Sequence, residues 1–213
     1  MSESGRHSQN TELEAARVVR LAADHEMPAV ADILASAFAN DPLMNWMCPA
    51  ARVYPSLFLA EAEGLYRFHG QVYINQDQTG AAMWLPAGVN ARPPLSWPWL
   101  RAIARLFLAG GMQGIRRAQR VETFFAEYHL SKPHFYLHCI GARQGKQGLG
   151  IGSALLGAGL KACDEQGLPA YLESTNEKNN PLYQRFGFEI IDSARVSDNG
   201  PRVFFMRREA AKA

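Results

Sequence analysis

The chain has 213 residues, 47% hydrophobic and 20% charged, with a formal net charge of +2. That length gives one large domain or two small ones with ample core, and so small a charge argues against nucleic acid as a partner. No run of about 18 apolar residues occurs, so no transmembrane helix is expected, and the polar stretch Met1–Asn10 has no apolar core for a signal peptide.

Residues 1–14 lack hydrophobic periodicity and are expected to form a disordered tail, ahead of a single domain over 15–208 and a C-terminal tail over 209–213. Val18, Val19 and Leu21 mark a first strand within Ala16–Ala22. Asp24 is a candidate N-cap for a helix in which Val30, Ile33, Leu34, Ala37 and Phe38 make one apolar stripe. Asn40-Asp41-Pro42 ends that helix. Met44, Trp46, Met47 and Cys48 crowd the turn region Leu43–Pro49, which reads as a loop folded onto the core or as a pocket wall. Tyr54–Phe68 is a second helix with Pro55 in its first turn. Gln71–Asn75 and Ala81–Leu85 form a hairpin across Asp77-Gln78-Thr79-Gly80. A proline-rich connection, Ala87–Pro98, leads to helices Trp97–Ala109 and Met112–Glu127, divided by Gly110-Gly111. Trp97 and Trp99 read as packing residues, and Arg116-Arg117-Ala118-Gln119-Arg120 as a solvated helix face. Cys48, Cys139 and Cys163 form no C-x-x-C pair, which fits reduced thiols in a cytoplasmic protein and gives no zinc site.

The most informative stretch is Phe135–Asp192, which reads strand, glycine loop, helix, strand, helix, strand. Pro133–Ala142 contains the central strand. After it, Ile151, Leu155, Leu156 and Leu160 fall at helical spacing, and Gly167 is a stop. Ala170–Ser174 is the next strand, Asn180–Phe186 a short helix, and Phe188–Asp192 and Arg202–Met206 the last strands. Gly148, Gly150 and Gly152 let backbone amides converge at the N-terminus of the first of these helices. Its orphan N–H groups and dipole suit a phosphate or pyrophosphate there. A tight turn with no ligand is an open alternative. A Walker A loop fails, because Gly141 and Gly145 enclose three residues and Lys146 is followed by Gln147. A dinucleotide fingerprint has Ser153 where its third glycine belongs, although Glu173 could mimic the ribose-binding acid.

Gln-x-x-Gly-x-Gly at Gln147–Gly152, followed by Asn179-Asn180-Pro181-Leu182-Tyr183-Gln184-Arg185-Phe186-Gly187-Phe188, resembles the GNAT family of acetyl-CoA-dependent N-acyltransferases. Met83-Trp84-Leu85-Pro86, Leu172-Glu173-Ser174 and Gly200-Pro201-Arg202 are similar to the puromycin N-acetyltransferase branch. The resemblance implies an α+β fold: a GNAT-like mixed, mostly antiparallel sheet flanked by helices and splayed between its fourth and fifth strands. It implies acetyl-CoA as co-substrate and no metal. It places Gln147, Gly148, Leu149, Gly150, Ile151, Gly152 and Ser153 at the pyrophosphate, and Cys139, Ile140, Gly141 and Ala142 beside the pantetheine arm. Asn179 is implied as a contact to that arm and reads equally as a helix N-cap. Cys139 reads as a buried structural thiol rather than a nucleophile.

Tyr183 is the implied general acid; on spacing alone it packs against Phe186 and Phe188. A resemblance to the arylalkylamine acetyltransferases, which place histidines on the central strand, implies His138 as the base, with Glu173 the alternative; His138 reads equally as a core histidine. Alternation puts Tyr136, His138 and Ile140 on one strand face. The Ile140–Ala142 amides are candidate oxyanion donors. Met44, Trp46, Trp84, Phe124 and Tyr136 suggest an aromatic-lined acceptor pocket. The implied activity is direct acetyl transfer to a primary amine of a small molecule, bulky or aromatic. The competing reading is a non-catalytic CoA- or ligand-binding module. Neither nucleic acid nor membrane is expected as a partner, and a homodimer is left open.

Overall fold

The sheet runs β1-β2-β3-β4-β5-β7-β6, with β1 Val19–Leu21, β2 Gln71–Asn75, β3 Gly80–Leu85, β4 Phe135–Ala142, β5 Ala170–Ser174, β6 Glu189–Arg195 and β7 Arg202–Arg208. The computed structural model describes residues 16–89 and 96–211. The predicted N-terminal tail up to residue 14, positions 90–95 of the proline-rich connection and positions 212–213 lie outside the described residues. Neighbouring strands are antiparallel except β4 and β5, which run parallel and are joined by the crossover connection that a parallel pair needs. The mixed, mostly antiparallel α+β sheet predicted from the sequence is the fold.

The helices are α1 Met27–Ala37, α2 Pro42–Met47, α3 Tyr54–Glu61, α4 Trp97–Tyr128, α5 Ile151–Gln166 and α6 Asn180–Arg185. A wide turn, Ala62–Tyr66, and Arg67–His69 prolong α3. Two cores result. One lies between the sheet and α1–α4 and holds Ile33, Leu34, Phe58, Met83, Tyr171 and Phe205. The other lies under α5 and α6 and holds Trp84, Phe135, Leu137, Leu155, Phe188 and Met206. Among the described residues, no helix is long and apolar enough to cross a membrane.

Three local expectations need correction. Asp24 does not cap α1; it sits in a short 3-10 turn, and the buried Glu26 carboxylate takes the Ala23 N–H at 2.9 Å while pairing with Arg20 at 2.6 Å. Leu43–Pro49 is not a loop, because Asp41 Oδ1 accepts from Leu43 N and Met44 N, each at 2.9 Å, and starts α2 with Pro42 in its first turn. The basic run is not simply solvated. Arg117 donates to Trp46 O at 2.7 Å and Arg120 to Val196 O at 2.9 Å, fastening α4 to its neighbours. Gly111 (φ 59°, ψ −159°) is non-helical and divides α4 into two helical halves, as Gly110-Gly111 predicted.

Trp84 is fully buried against α5, on the sheet face opposite the predicted acceptor wall. A Cβ at Gly159 would lie 2.3 Å from its ring. Gly159→Ala is therefore expected to lower stability by about 1–3 kcal/mol through overpacking, reversing the gain of about 1 kcal/mol that alanine brings to an open helix. Urea unfolding midpoints check this.

Candidate active site

Two irregularities of β4 build the site. The first is a bulge. Met83 pairs with Cys139 but Trp84 pairs with Leu137, so His138 is an extra residue without a partner in β3. Tyr136 and Cys139 therefore both face the α1–α4 core. Ile140 and Ala142 join Phe135 and Leu137 on the other face. The predicted alternation of Tyr136, His138 and Ile140 fails at this point.

The second irregularity is an interrupted ladder. β4 and β5 pair from Phe135–Ala170 to Leu137–Leu172 and no further, although β4 runs on to Ala142 and β5 to Ser174. The sheet gapes where the splay was predicted. Cys139–Ala142 pair with β3 on one edge, so alternate peptide groups on the other edge face the gap. Gly141 is required for closeness rather than for a turn, since a Cβ there would lie 2.4 Å from Ala37 Cβ.

Beyond β4, Gly145, Gly148 and Gly150 adopt left-handed φ of 79°, 81° and 83°, which glycine tolerates best. The first backbone bond of α5 runs from Ala154 N to Gly150 O at 3.0 Å. The N–H groups of Ile151, Gly152 and Ser153 thus leave the helix end without intrahelical partners. A Cβ at Gly148 would meet nothing within 4 Å, so open space adjoins the loop. That amide cluster fits a diphosphate. Gln147 turns inward instead: Oε1 accepts from Gly145 N at 2.9 Å and Nε2 donates to Ala142 O at 3.4 Å, bracing the loop. Arg17, not singled out from the sequence, donates to Leu149 O at 3.2 Å.

α6 abuts this loop; a Cβ at Gly152 would lie 3.3 Å from Leu182. Asn179, at its exposed start, makes no side-chain cap, so its amide is not spent on the helix. Tyr183 is buried and edge-on to Phe188 at 6.2 Å. Burial pushes its phenol above the ordinary range, and the nearby Asp41 and Cys139 add to this. Asp41, itself raised by burial, accepts from the Thr175 hydroxyl and so ties the start of α2 to the end of β5. Leu149, Ile140 and Ala142 are half-buried beside the loop and gap.

On the α1–α4 side the bulge presents His138 to a chain of titratable groups. His138 Nε2 lies 2.7 Å from Glu61 Oε2, and its ring stacks on Tyr66 at 5.2 Å. Its Nδ1 lies 3.4 Å from the Tyr136 hydroxyl, which donates to Glu173 Oε2. Glu173 Oε1 is buried without a hydrogen-bond partner, with His129 Nδ1 at 3.5 Å. His129 opens on a cavity of about 290 Å³ lined also by His134, Lys132 and Tyr136. Burial works against a charged His138, but the Glu61 carboxylate outweighs it and raises its pKa above 6.5. Burial first, then Glu173, pushes the Tyr136 phenol far up, so it stays a donor. Glu61, Tyr66 and His129 escaped the sequence reading. Glu61 sits within an otherwise apolar helix, and that was its only signal.

Met44 and Trp46 pack against the same core from α2, and Phe124 packs on Tyr128 and Phe205 at 5.1 and 5.7 Å. Trp84 takes no part in that wall. Burial also raises the Cys139 thiol well above its ordinary value.

The model of the acetyltransferase (GNAT) family matches residues 108–188. An uncharacterised N-acetyltransferase of Schizosaccharomyces pombe is 25% identical over 184 residues, 80% of this chain and 73% of that one. A mycothiol acetyltransferase of Thermomonospora curvata is 29% identical over 183 residues, 70% of this chain and 61% of its own length. Among solved structures, a histone acetyltransferase HPA2 and related acetyltransferase of Corynebacterium glutamicum superposes with a TM-score of 0.68 at 25% identity, over 92% of this chain and 97% of that one. The chain is thus similar to acetyltransferases of the GNAT family, in sequence over residues 108–188 and in fold over most of its length.

Proposed function

We propose that the protein transfers acetyl from acetyl-CoA directly to a primary amine of a small molecule, with no acyl-enzyme. The observation that carries this is the gap between β4 and β5, which opens between the amide cluster of α5 and the Glu61–His138 pair. Acetyl-CoA, when bound, supplies the activated thioester. The amides of Ile151, Gly152 and Ser153 would hold its diphosphate, with Gly148, Leu149 and Gly150 shaping the loop and Gln147 bracing it. The open edge of Cys139–Ala142 would pair with the amide-bearing arm as an added strand, and Asn179 would reach it from α6. Gap-facing amides of Ile140–Ala142 would stabilise charge on the thioester carbonyl oxygen.

Glu61 pairs with His138 directly, and Glu173 lies behind it across the Tyr136 hydroxyl. Their excess negative charge favours an incoming ammonium. His138, once neutral, accepts the amine's proton, and Tyr136, Glu173 and His129 continue the path toward the cavity. Tyr183 stays protonated and donates to the departing sulfur. The raised Cys139 thiol argues against a thiolate nucleophile. Tyr66 stacked on His138, Met44 and Trp46 packed on the same core, and the motif likeness to puromycin acetyltransferases favour a bulky or aromatic amine.

Incubation with acetyl-CoA and a panel of amines tests the reading, with amine-dependent release of free thiol expected. CoA binding by calorimetry without thiol release from any amine would instead indicate a binding module. Thermal stabilisation by NAD but not by CoA would reject both readings.

A further inference from the structure

The N-terminal half of α4 carries an apolar stripe left exposed among the described residues. Trp97 is 71% exposed, Leu100 45%, Ile103 44%, Phe107 48% and Leu108 82%. These positions recur at helical spacing and lie along one side, while Ala102 and Leu106 face the core. Trp97 was read from the sequence as a packing residue; the structure turns it out. Exposed Arg101 and Arg105 border the stripe on one flank. From Trp97 to Val121 the chain carries Arg101, Arg105, Arg116, Arg117 and Arg120 and no carboxylate. Beside Leu108, a cavity of about 270 Å³ is lined by Arg52, Val53, Arg105, Leu108 and Ala109. Arg105 also donates to Ser56 Oγ, which fixes one wall of that cavity.

We propose that this half of α4 is a docking surface for an anionic phospholipid membrane. The helix lies flat in the interface, with Trp97, Leu100, Phe107 and Leu108 among the acyl chains and Arg52 and Arg105 around a headgroup phosphate. An amphipathic helix with tryptophan and leucine on one face and arginine beside it has the composition for this. Among the described residues no helix is long and apolar enough to cross a membrane, which leaves open a helix that rests on one. Charge decides between occupants. A second copy packed stripe to stripe would bring arginine-flanked faces together with no carboxylate between residues 97 and 121 to offset them. Anionic headgroups complement those arginines instead.

The test is co-sedimentation of the full chain with phosphatidylcholine vesicles, with and without phosphatidylglycerol, at low and high salt. Partition at least about tenfold stronger onto the anionic vesicles is expected, weakening as salt rises. Tryptophan emission should shift to the blue on binding. Leu108→Glu should cut partition by about tenfold or more. Arg101→Gln should cut it by about fivefold, one surface charge's share. Both side chains are exposed, so unchanged circular dichroism and unchanged thiol release should accompany these losses. Equal partition onto neutral vesicles, or none onto either, would overturn the proposal. So would a dimer in light scattering that Leu108→Glu dissolves, because the stripe would then belong to a second copy.

Discussion

Replacing Tyr183 by Phe is expected to lower kcat by about 10²–10⁴-fold if its hydroxyl is the general acid, with little change in the KM for acetyl-CoA. The substitution is clean. Phenylalanine keeps the ring that lies edge-on to Phe188, so packing in the core under α5 is preserved. Only the hydroxyl is lost, and burial together with Asp41 and Cys139 keeps that hydroxyl protonated across the working pH range. A thiol has an ordinary pKa near 8.5, below that of a phenol. Tyr183 therefore donates a hydrogen bond to the sulfur as charge develops and then its proton, which solvent restores to the phenol. Steady-state thiol release measures the effect. Turnover within about twofold of the parent enzyme would remove Tyr183 from the chemistry.

The second large effect is at the bulge. His138→Gln is expected to reduce kcat/KM by about 10²–10⁴-fold, and the pH profile should identify the cause. The folded pKa of His138 is raised above 6.5 by Glu61 despite burial. A base must be neutral, so kcat/KM should climb as pH rises through that raised value, with its inflection above 6.5. Glu61→Gln removes the larger raising charge and leaves burial opposed only by Glu173, so the inflection should move to lower pH. A profile that Glu61→Gln leaves in place would exclude His138 as the titrating base. The same shift bears on stability with the opposite trend. A raised folded pKa gives stabilisation that is complete below the unfolded value, 6.5, and lost as pH rises through the folded one. The Glu61–His138 pair thus stabilises the fold most where the enzyme is least active.

Much of the architecture could be read from the chain because its signals were local. The stripe of Val30, Ile33 and Leu34, the hairpin at Asp77–Gly80 and the glycine loop each depend on spacing within a few residues, and each matches the structure. The Asp41-Pro42 pair carried its own signal as an N-cap and first-turn proline, and was passed over because the methionines and tryptophan after it looked irregular. The bulge had no local signal. It arises where β3 and β4 fall out of step across more than fifty residues of sequence, and with it went the facing of Ile140; Trp84 instead follows the regular alternation of β3, which puts it on the face opposite Met83. Glu61, Tyr66 and His129 were missed for the same reason. They come from α3 and from the segment before β4, and only the sheet brings them to His138.

His138 is surplus to the pleat. Leave it out, and Leu137 and Cys139 become consecutive members of an ordinary strand, with every later side chain still on its present side. A chain shortened by that one residue should keep both helical layers seated while losing the imidazole. Scaffold and reactivity thus part company at a single position: the architecture can spare what the chemistry cannot.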